Sequence, residues 1–172
     1  VGRYWIERNE KSQLGDSLKY YVKSQSVKYD TINDKITPKD VTVLDPCVGS
    51  GHFAIYAFEV LMKIYLEYGY TEREAVEEIV KNNLFGLDLD GRAAQLAYFS
   101  IMMKARQYDR RFFSRNIQPN VYEIKESNEI NGAEIDYFCG DDGELRKNVE
   151  RVLTLFHDTK EFGSIIQLSD VN

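Results

Sequence analysis

Val41-Thr42-Val43-Leu44-Asp45-Pro46-Cys47-Val48-Gly49-Ser50-Gly51-His52-Phe53 is the stretch that decides the fold. A short, β-branched apolar run ends in an acid, a proline and two glycines one residue apart, and a helical pattern follows. The run has the composition of a buried parallel strand. Glycine lets a backbone approach a ligand with no Cβ in the way and tolerates positive φ. Strand, glycine turn and helix in that order form the edge where parallel sheets bind ligands. The helix start adds unpaired N–H groups and a positive dipole end, so the turn predicts a ligand carrying a carboxylate or phosphate.

The chain on either side fits such a sheet. From Phe53 to Glu67 the polar residues Glu59, Lys63 and Glu67 recur every four positions. They form one stripe on an otherwise apolar helix, which should be buried over most of its circumference. Thr71-Glu72-Arg73-Glu74 reads as a capping box opening a helix whose inner face is Ala75, Val76, Ile79 and Val80, ended by Asn82-Asn83. A second strand is predicted at Leu84–Asp88, an alanine-rich helix over 92–107, and a third, alternating strand over 120–125. Leu145, Val149, Val152, Leu153 and Phe156 mark a later amphipathic helix. Before the first strand, a helix is expected over 14–27 and a turn over 35–40, around Pro38. Strands alternating with helices predict an α/β fold, a parallel sheet flanked by helices.

Composition bounds the setting. With 172 residues, 43% hydrophobic and 29% charged, the chain reads as one soluble globular domain. No apolar run reaches the length of a membrane span, so no membrane partner is expected. Cys47 and Cys139 are too few for a disulfide framework and suit a reducing, cytoplasmic setting. The net charge of −6 is uneven: residues 123–144 hold eight acids against Lys125 alone, a local −7, and the remaining 21 bases and 20 acids leave +1. Overall acidity therefore does not exclude a nucleic-acid substrate. A first residue of Val1 and an apolar end, SIIQLSDVN, suggest a piece of a longer polypeptide.

Three ligand classes use a glycine turn of this kind. A phosphate-binding P-loop needs Lys and Ser/Thr after its last glycine, where His52 and Phe53 stand. A dinucleotide site is formally matched by Gly49-Ser50-Gly51-His52-Phe53-Ala54. Yet four residues separate the strand from Gly49, and the next strand-end acid, Asp88, comes 39 residues later rather than about 20. The third class is S-adenosylmethionine (SAM).

DPCVGSGHF, residues 45–53, resembles the first motif of adenine-specific DNA methyltransferases, and LFGLDLDGRAAQLAYFSIMMKAR, residues 84–106, resembles their second motif and its helix. The intervening FAIYAFEVLMKIY and the lone Cys47 resemble a narrower branch, the large methyltransferases of restriction and phage-defence systems of the BREX PglX type. The resemblance implies a Rossmann-like SAM-binding fold and, for the parent protein, methyl transfer to the exocyclic amine of adenine in DNA. It implies that Asp45, with Pro46 and Cys47 in its turn, orients the methionine end of SAM. Gly49 and Gly51 would close the backbone around that end, and His52 and Phe53 would offer N–H groups to its carboxylate. Asp88 would take the ribose hydroxyls, Leu89 the adenine face, and Glu126 the adenine amine. No metal ligand is implied.

The chain departs from that pattern in places. Gly91 stands where proline is frequent, and the Asn/Asp-Pro-Pro-Tyr/Phe catalytic motif is absent, so no catalytic residue is assigned here. Residues 1–40 are expected to be a helical lead-in and 41–172 the SAM-binding part, truncated before the catalytic motif. DNA would be met through parts of the parent outside this chain, with other defence-system subunits as further partners. A non-catalytic SAM-binding module and a methyltransferase for another substrate are the alternatives. Cys47 reads as a small, partly buried turn residue, the arginines between 106 and 115 as helix C-terminal cations, and the acids of 123–144 as a solvated loop.

Overall fold

A computed structural model describes residues 1–9, 11–22 and 36–157. The chain divides into two compact units, Val1–Ile124 and Lys125–Asn172. The first holds α1 (Gly2–Arg8), β1 (Val43–Asp45), α2 (His52–Tyr68), α3 (Glu72–Glu78), β2 (Leu84–Asp88), α4 (Gly91–Tyr108) and β3 (Asn120–Glu123). The strands form a parallel sheet in the order β1-β2-β3. Val43 pairs with Leu84 and Asp45 with Gly86, while Asp88 pairs with Glu123. The three acids thus end their strands on the same edge.

Helix α2 is the centre of the core. Phe58, Leu61, Ile64 and Tyr65 are fully buried along it, each contributing roughly 1.5–3 kcal/mol of apolar burial. The predicted capping box is formed: Glu74 N–H donates to Thr71 Oγ1, and Thr71 N–H donates to the Glu74 carboxylate. All four predicted inner-face residues, Ala75, Val76, Ile79 and Val80, are buried. The polar stripe of α2 has a role beyond facing water. Lys63 donates to the Ser17 carbonyl at 2.6 Å, and Glu59 pairs with Lys104 at 2.5 Å. Glu67 accepts from Trp5 Nε1, Ser12 Oγ and Gln13 N–H, pinning the N-terminal segment against α2.

Asn83 does not merely end a helix. A π-helical turn, Ile79–Asn83, follows α3 and carries this side chain into the core. Tyr65 Oη donates to Asn83 Oδ1 at 2.8 Å, and Asn83 Nδ2 donates to the carbonyls of Pro38 and Val41 at 2.9 and 2.8 Å. Burial raises the pKa of the Tyr65 hydroxyl, which keeps it a donor.

Two sequence expectations are corrected. The helix expected over 14–27 is absent where the chain is described: Leu14–Asp16 is a single 3-10 turn, and 17–22 form no regular element. Residues 23–27 lie outside the described residues. Ser17 Oγ donates to the Leu14 carbonyl and the Ser17 carbonyl accepts from Lys63, so side chains take the groups a helix would use. The acidic stretch is also no plain loop. In the second unit it builds α5 (Gly132–Cys139) and starts α6 (Gly143–Leu155). Its acids sit where helix starts favour them: Asn131 and Glu134 form a capping box, Asp142 caps α6, and Glu144 lies in the first turn. Asp136 and Glu150 both pair with Arg146, which raises the Arg146 pKa. No helix among the described residues is long and apolar enough to cross a membrane.

Candidate functional site

The turn after β1 crosses over the end of β2 and is stitched to it. Val48 N–H donates to the Leu87 carbonyl at 2.9 Å, and Gly49 N–H donates to Asp88 Oδ2 at 2.8 Å. Val48 is buried, and its side chain explains a glycine inside β2: a Cβ on Gly86 would stand 3.0 Å from Val48 Cγ2. The two segments singled out in the sequence therefore make one structure.

Both turn glycines are required by conformation. Gly49 has φ +53° with open space around it, whereas Gly51 has φ +86° and lies under α4. A Cβ on Gly51 would stand 3.1 Å from Ala97 Cα. Gly51 is also the N-cap of α2 and has no side chain to bond the orphan amides, so the N–H groups of His52 and Phe53 carry no side-chain cap. Asp45 Oδ1 accepts from Cys47 N–H at 3.1 Å, which folds the turn around Pro46. Cys47 is exposed. Phe53 and Leu89 are large apolar side chains left 83% and 79% exposed beside these turns.

Asp88 is the hub. Besides the Gly49 contact, its Oδ1 accepts from Asp90 N–H at 2.9 Å. The amides of Asp90, Gly49 and Leu89 hold its carboxyl below the usual carboxylate range, so it is ionised at neutral pH. An ionised carboxylate has about four acceptor positions, so the Gly49 and Asp90 hydrogen bonds, one to each oxygen, leave room for further donors. Asp90 plays a different part. It is the N-cap of α4, and its Oδ1 accepts from Arg92 N–H at 2.9 Å.

Nine of the ten residues singled out for the ligand, Asp45, Pro46, Cys47, Gly49, Gly51, His52, Phe53, Asp88 and Leu89, lie along this edge of the first unit. The tenth, Glu126, belongs to the second unit, where it is exposed at the head of a 3-10 turn, Ser127–Glu129. Two further residues at the edge escaped the sequence reading. Glu123 ends β3 opposite Asp88, and its carboxyl carbon would lie 2.8 Å from any Cβ at Gly91. That carboxyl is the far end of an exposed, flexible side chain, so a Cβ at Gly91 would displace it at little cost. Ser50 Oγ lies 2.6 Å from His52 Nδ1. Glu123 stood inside the strand expected over 120–125, and only the shorter observed strand puts it at the end; Ser50 offered no signal beyond its adjacency to the glycines.

A groove of about 460 Å³ is lined by Leu44 and Asp45 of β1, Phe53, Tyr56 and Val60 of α2, and Phe85 of β2, among others. Asp45 and Phe53 thus belong both to the turn and to the groove.

The chain is similar to known proteins over most of its length. The family model described as the DNA-methyltransferase domain of MmeI matches residues 21–136, more than half of the chain. The adenine-specific methyltransferase PglX of Lacticaseibacillus casei (strain Zhang) is 39% identical over an alignment of 182 residues, covering 96% of this chain and 15% of that protein. The adenine-specific methyltransferase BrxX of Escherichia coli O9:H4 (strain HS) is 35% identical over 197, covering 98% of this chain and 16% of that protein. The chain spans about a sixth of the length of these curated relatives.

Proposed function

The chain belongs to the MmeI DNA-methyltransferase domain family, and from that premise we propose that it is the SAM-binding part of an enzyme methylating adenine N6 in DNA, in a restriction or phage-defence system. The observation that carries the reading is the stitch between the glycine turn and Asp88, which sets an uncapped helix start beside an ionised carboxylate with acceptor sites to spare. The residues fit the cofactor part by part. The amides of His52 and Phe53 take the methionine carboxylate, and the free oxygen of Asp45 takes its ammonium. Asp88 accepts from the ribose hydroxyls, and Leu89 lies against the adenine. When bound, the cofactor supplies an electrophilic methyl group on its sulfonium. The side chains named here bind and orient; none is placed to hold the acceptor base.

In this reading the acceptor adenine is met by parts of a longer protein, because none of Pro38, Pro46 and Pro119 begins a Pro-Pro pair. The target base leaves the duplex to reach the site. The 172-residue chain alone therefore transfers no methyl group to DNA. Its duplex affinity is weak and falls with salt.

Calorimetry with SAM, S-adenosylhomocysteine and NAD tests the cofactor assignment. Binding of the two adenosyl ligands in preference to NAD is expected, and NAD binding that SAM fails to compete overturns it. Transfer of tritiated methyl from SAM to mixed duplex DNA tests the rest. Turnover by this chain itself would sink the placement of the catalytic residues elsewhere.

A further inference from the structure

Ser50 and His52 flank Gly51, at the point where the turn becomes α2. With Ser50 Oγ 2.6 Å from His52 Nδ1, one proton lies between a hydroxyl and a ring nitrogen. Its owner decides what the other ring nitrogen can do. A hydroxyl donating to Nδ1 keeps the neutral ring's own proton on Nε2, making Nε2–H a donor. The reverse arrangement leaves Nε2 a bare acceptor. His52 opens a 17-residue helix whose first amides have no side-chain cap, so the local potential is positive and favours an anion. The ring is exposed, so no packing in the core accounts for it.

We infer that His52, oriented by Ser50, is a specificity-determining donor to the α-carboxylate of the cofactor's methionine portion, through Nε2–H. The inference rests on the proposed reading of this turn as a SAM site. Backbone amides alone accept any anion that fits. A ring donor held at a fixed angle adds a requirement for a carboxylate one step beyond the helix start. Ser50 is a positioning residue: its hydroxyl touches Nδ1 and, donating there, leaves the ring's own proton on Nε2. The sequence motif gave the backbone of His52 a role, and the hydroxyl contact adds one for the side chain.

The test compares SAM with decarboxylated SAM, which keeps the ammonium and lacks the carboxylate, by calorimetry on the 172-residue chain. His52→Ala is expected to weaken SAM binding about tenfold or more, as befits a lost hydrogen bond to a charged group. Its affinity for decarboxylated SAM should change less than about twofold, since that ligand has no partner for the ring. Ser50→Ala should give a smaller loss with the same selectivity, and His52→Gln, which keeps a donor, should recover part of it. Equal losses on both ligands, or full SAM affinity in both His52→Ala and Ser50→Ala, overturn the inference. If the unaltered chain binds neither ligand, the reading of the site falls and this inference with it. If it binds SAM and the variants fail to discriminate, this inference alone falls.

Discussion

The turn after β1 and the turn after β2 do the same topological job and solve the helix-start problem in opposite ways. Each leads from the carboxyl end of a parallel strand into a long helix. At α4 the cap is Asp90, whose carboxylate accepts from Arg92 N–H, so that helix start is closed by its own chain. At α2 the cap is Gly51, with no side chain, and the start stays open. The open end pairs with an acid that reaches across from the other strand, Asp88, which bonds the turn's backbone and leaves the helix amides alone. The difference teaches that an N-cap residue decides whether a helix start is a fastening or a receptor. One acid, Asp90, closes its own helix start; the other, Asp88, bonds a neighbouring turn.

The comparison breaks most visibly at Gly51. Gly51→Ala combines a left-handed φ with a contact of 3.1 Å to the Ala97 backbone. Left-handed strain costs about 1–2 kcal/mol and overpacking about 1–3 more. A loss of roughly 2–5 kcal/mol in denaturant unfolding is expected; a loss below about 1 kcal/mol would mean that α4 does not press on the turn. Asp88→Ala should come next. It removes the acceptor for the proposed ribose hydroxyls, and SAM binding should weaken roughly ten- to hundredfold, measured by calorimetry. Asp90→Ala is the control that sharpens the contrast: about 1 kcal/mol of stability lost with the cap, and SAM affinity kept within a few fold. Equal affinity losses at 88 and 90 would erase the distinction between the two acids. Gly49→Ala pays only for its φ of +53°, since nothing lies near its Cβ, so about 1 kcal/mol is expected, clearly less than at Gly51.

The smallest effect is in acid. The folded pKa of Asp88 is depressed, first by the Asp90 amide and then by that of Gly49. Its contribution to stability is therefore complete above the unfolded value, about 3.9, and is lost as pH falls through the lower folded value. Denaturant midpoints measured from pH 5 downward should fall less steeply in Asp88→Asn than in the unaltered chain. Indistinguishable slopes would show that the two amides do not favour the ionised form.

Much of this was legible in the residues because the signals are local. Leu84–Asp88 is a strand with the bounds that its apolar run gives, and α2 and α4 differ from their sequence patterns by one residue at each end. The Thr71–Glu74 capping box spans three residues and forms as written. What stayed hidden depends on partners far along the chain. Glu67 reads as the end of a solvated stripe, and only folding brings it to Trp5, Ser12 and Gln13. The Leu14 region shows helical propensity, yet its groups are taken by Ser17 and Lys63. Net acidity concealed α5 and the start of α6, because charge counts do not tell an N-cap from a loop acid; Asp142 is a cap. At the site, the glycines and Asp88 announced themselves by type and spacing. The Ser50–His52 contact did not, since a serine beside a glycine is common in any turn.

Asn83 carries a consequence for the site although it lies at the other end of the sheet. A strand of three residues, β1, has too few ladder bonds to fix its own alignment, and a slip by one residue would move Asp45 by about 3.3 Å and turn it to the opposite face. The Asn83 amide holds the carbonyls of Pro38 and Val41 immediately before β1, while its own backbone leads directly into β2. It acts as a gauge block between the two strands, clamped from behind by Tyr65. The offset between Asp45 and Asp88, on which a ligand spanning both would depend, is thus machined at the amino ends of the strands and read out at their carboxyl ends.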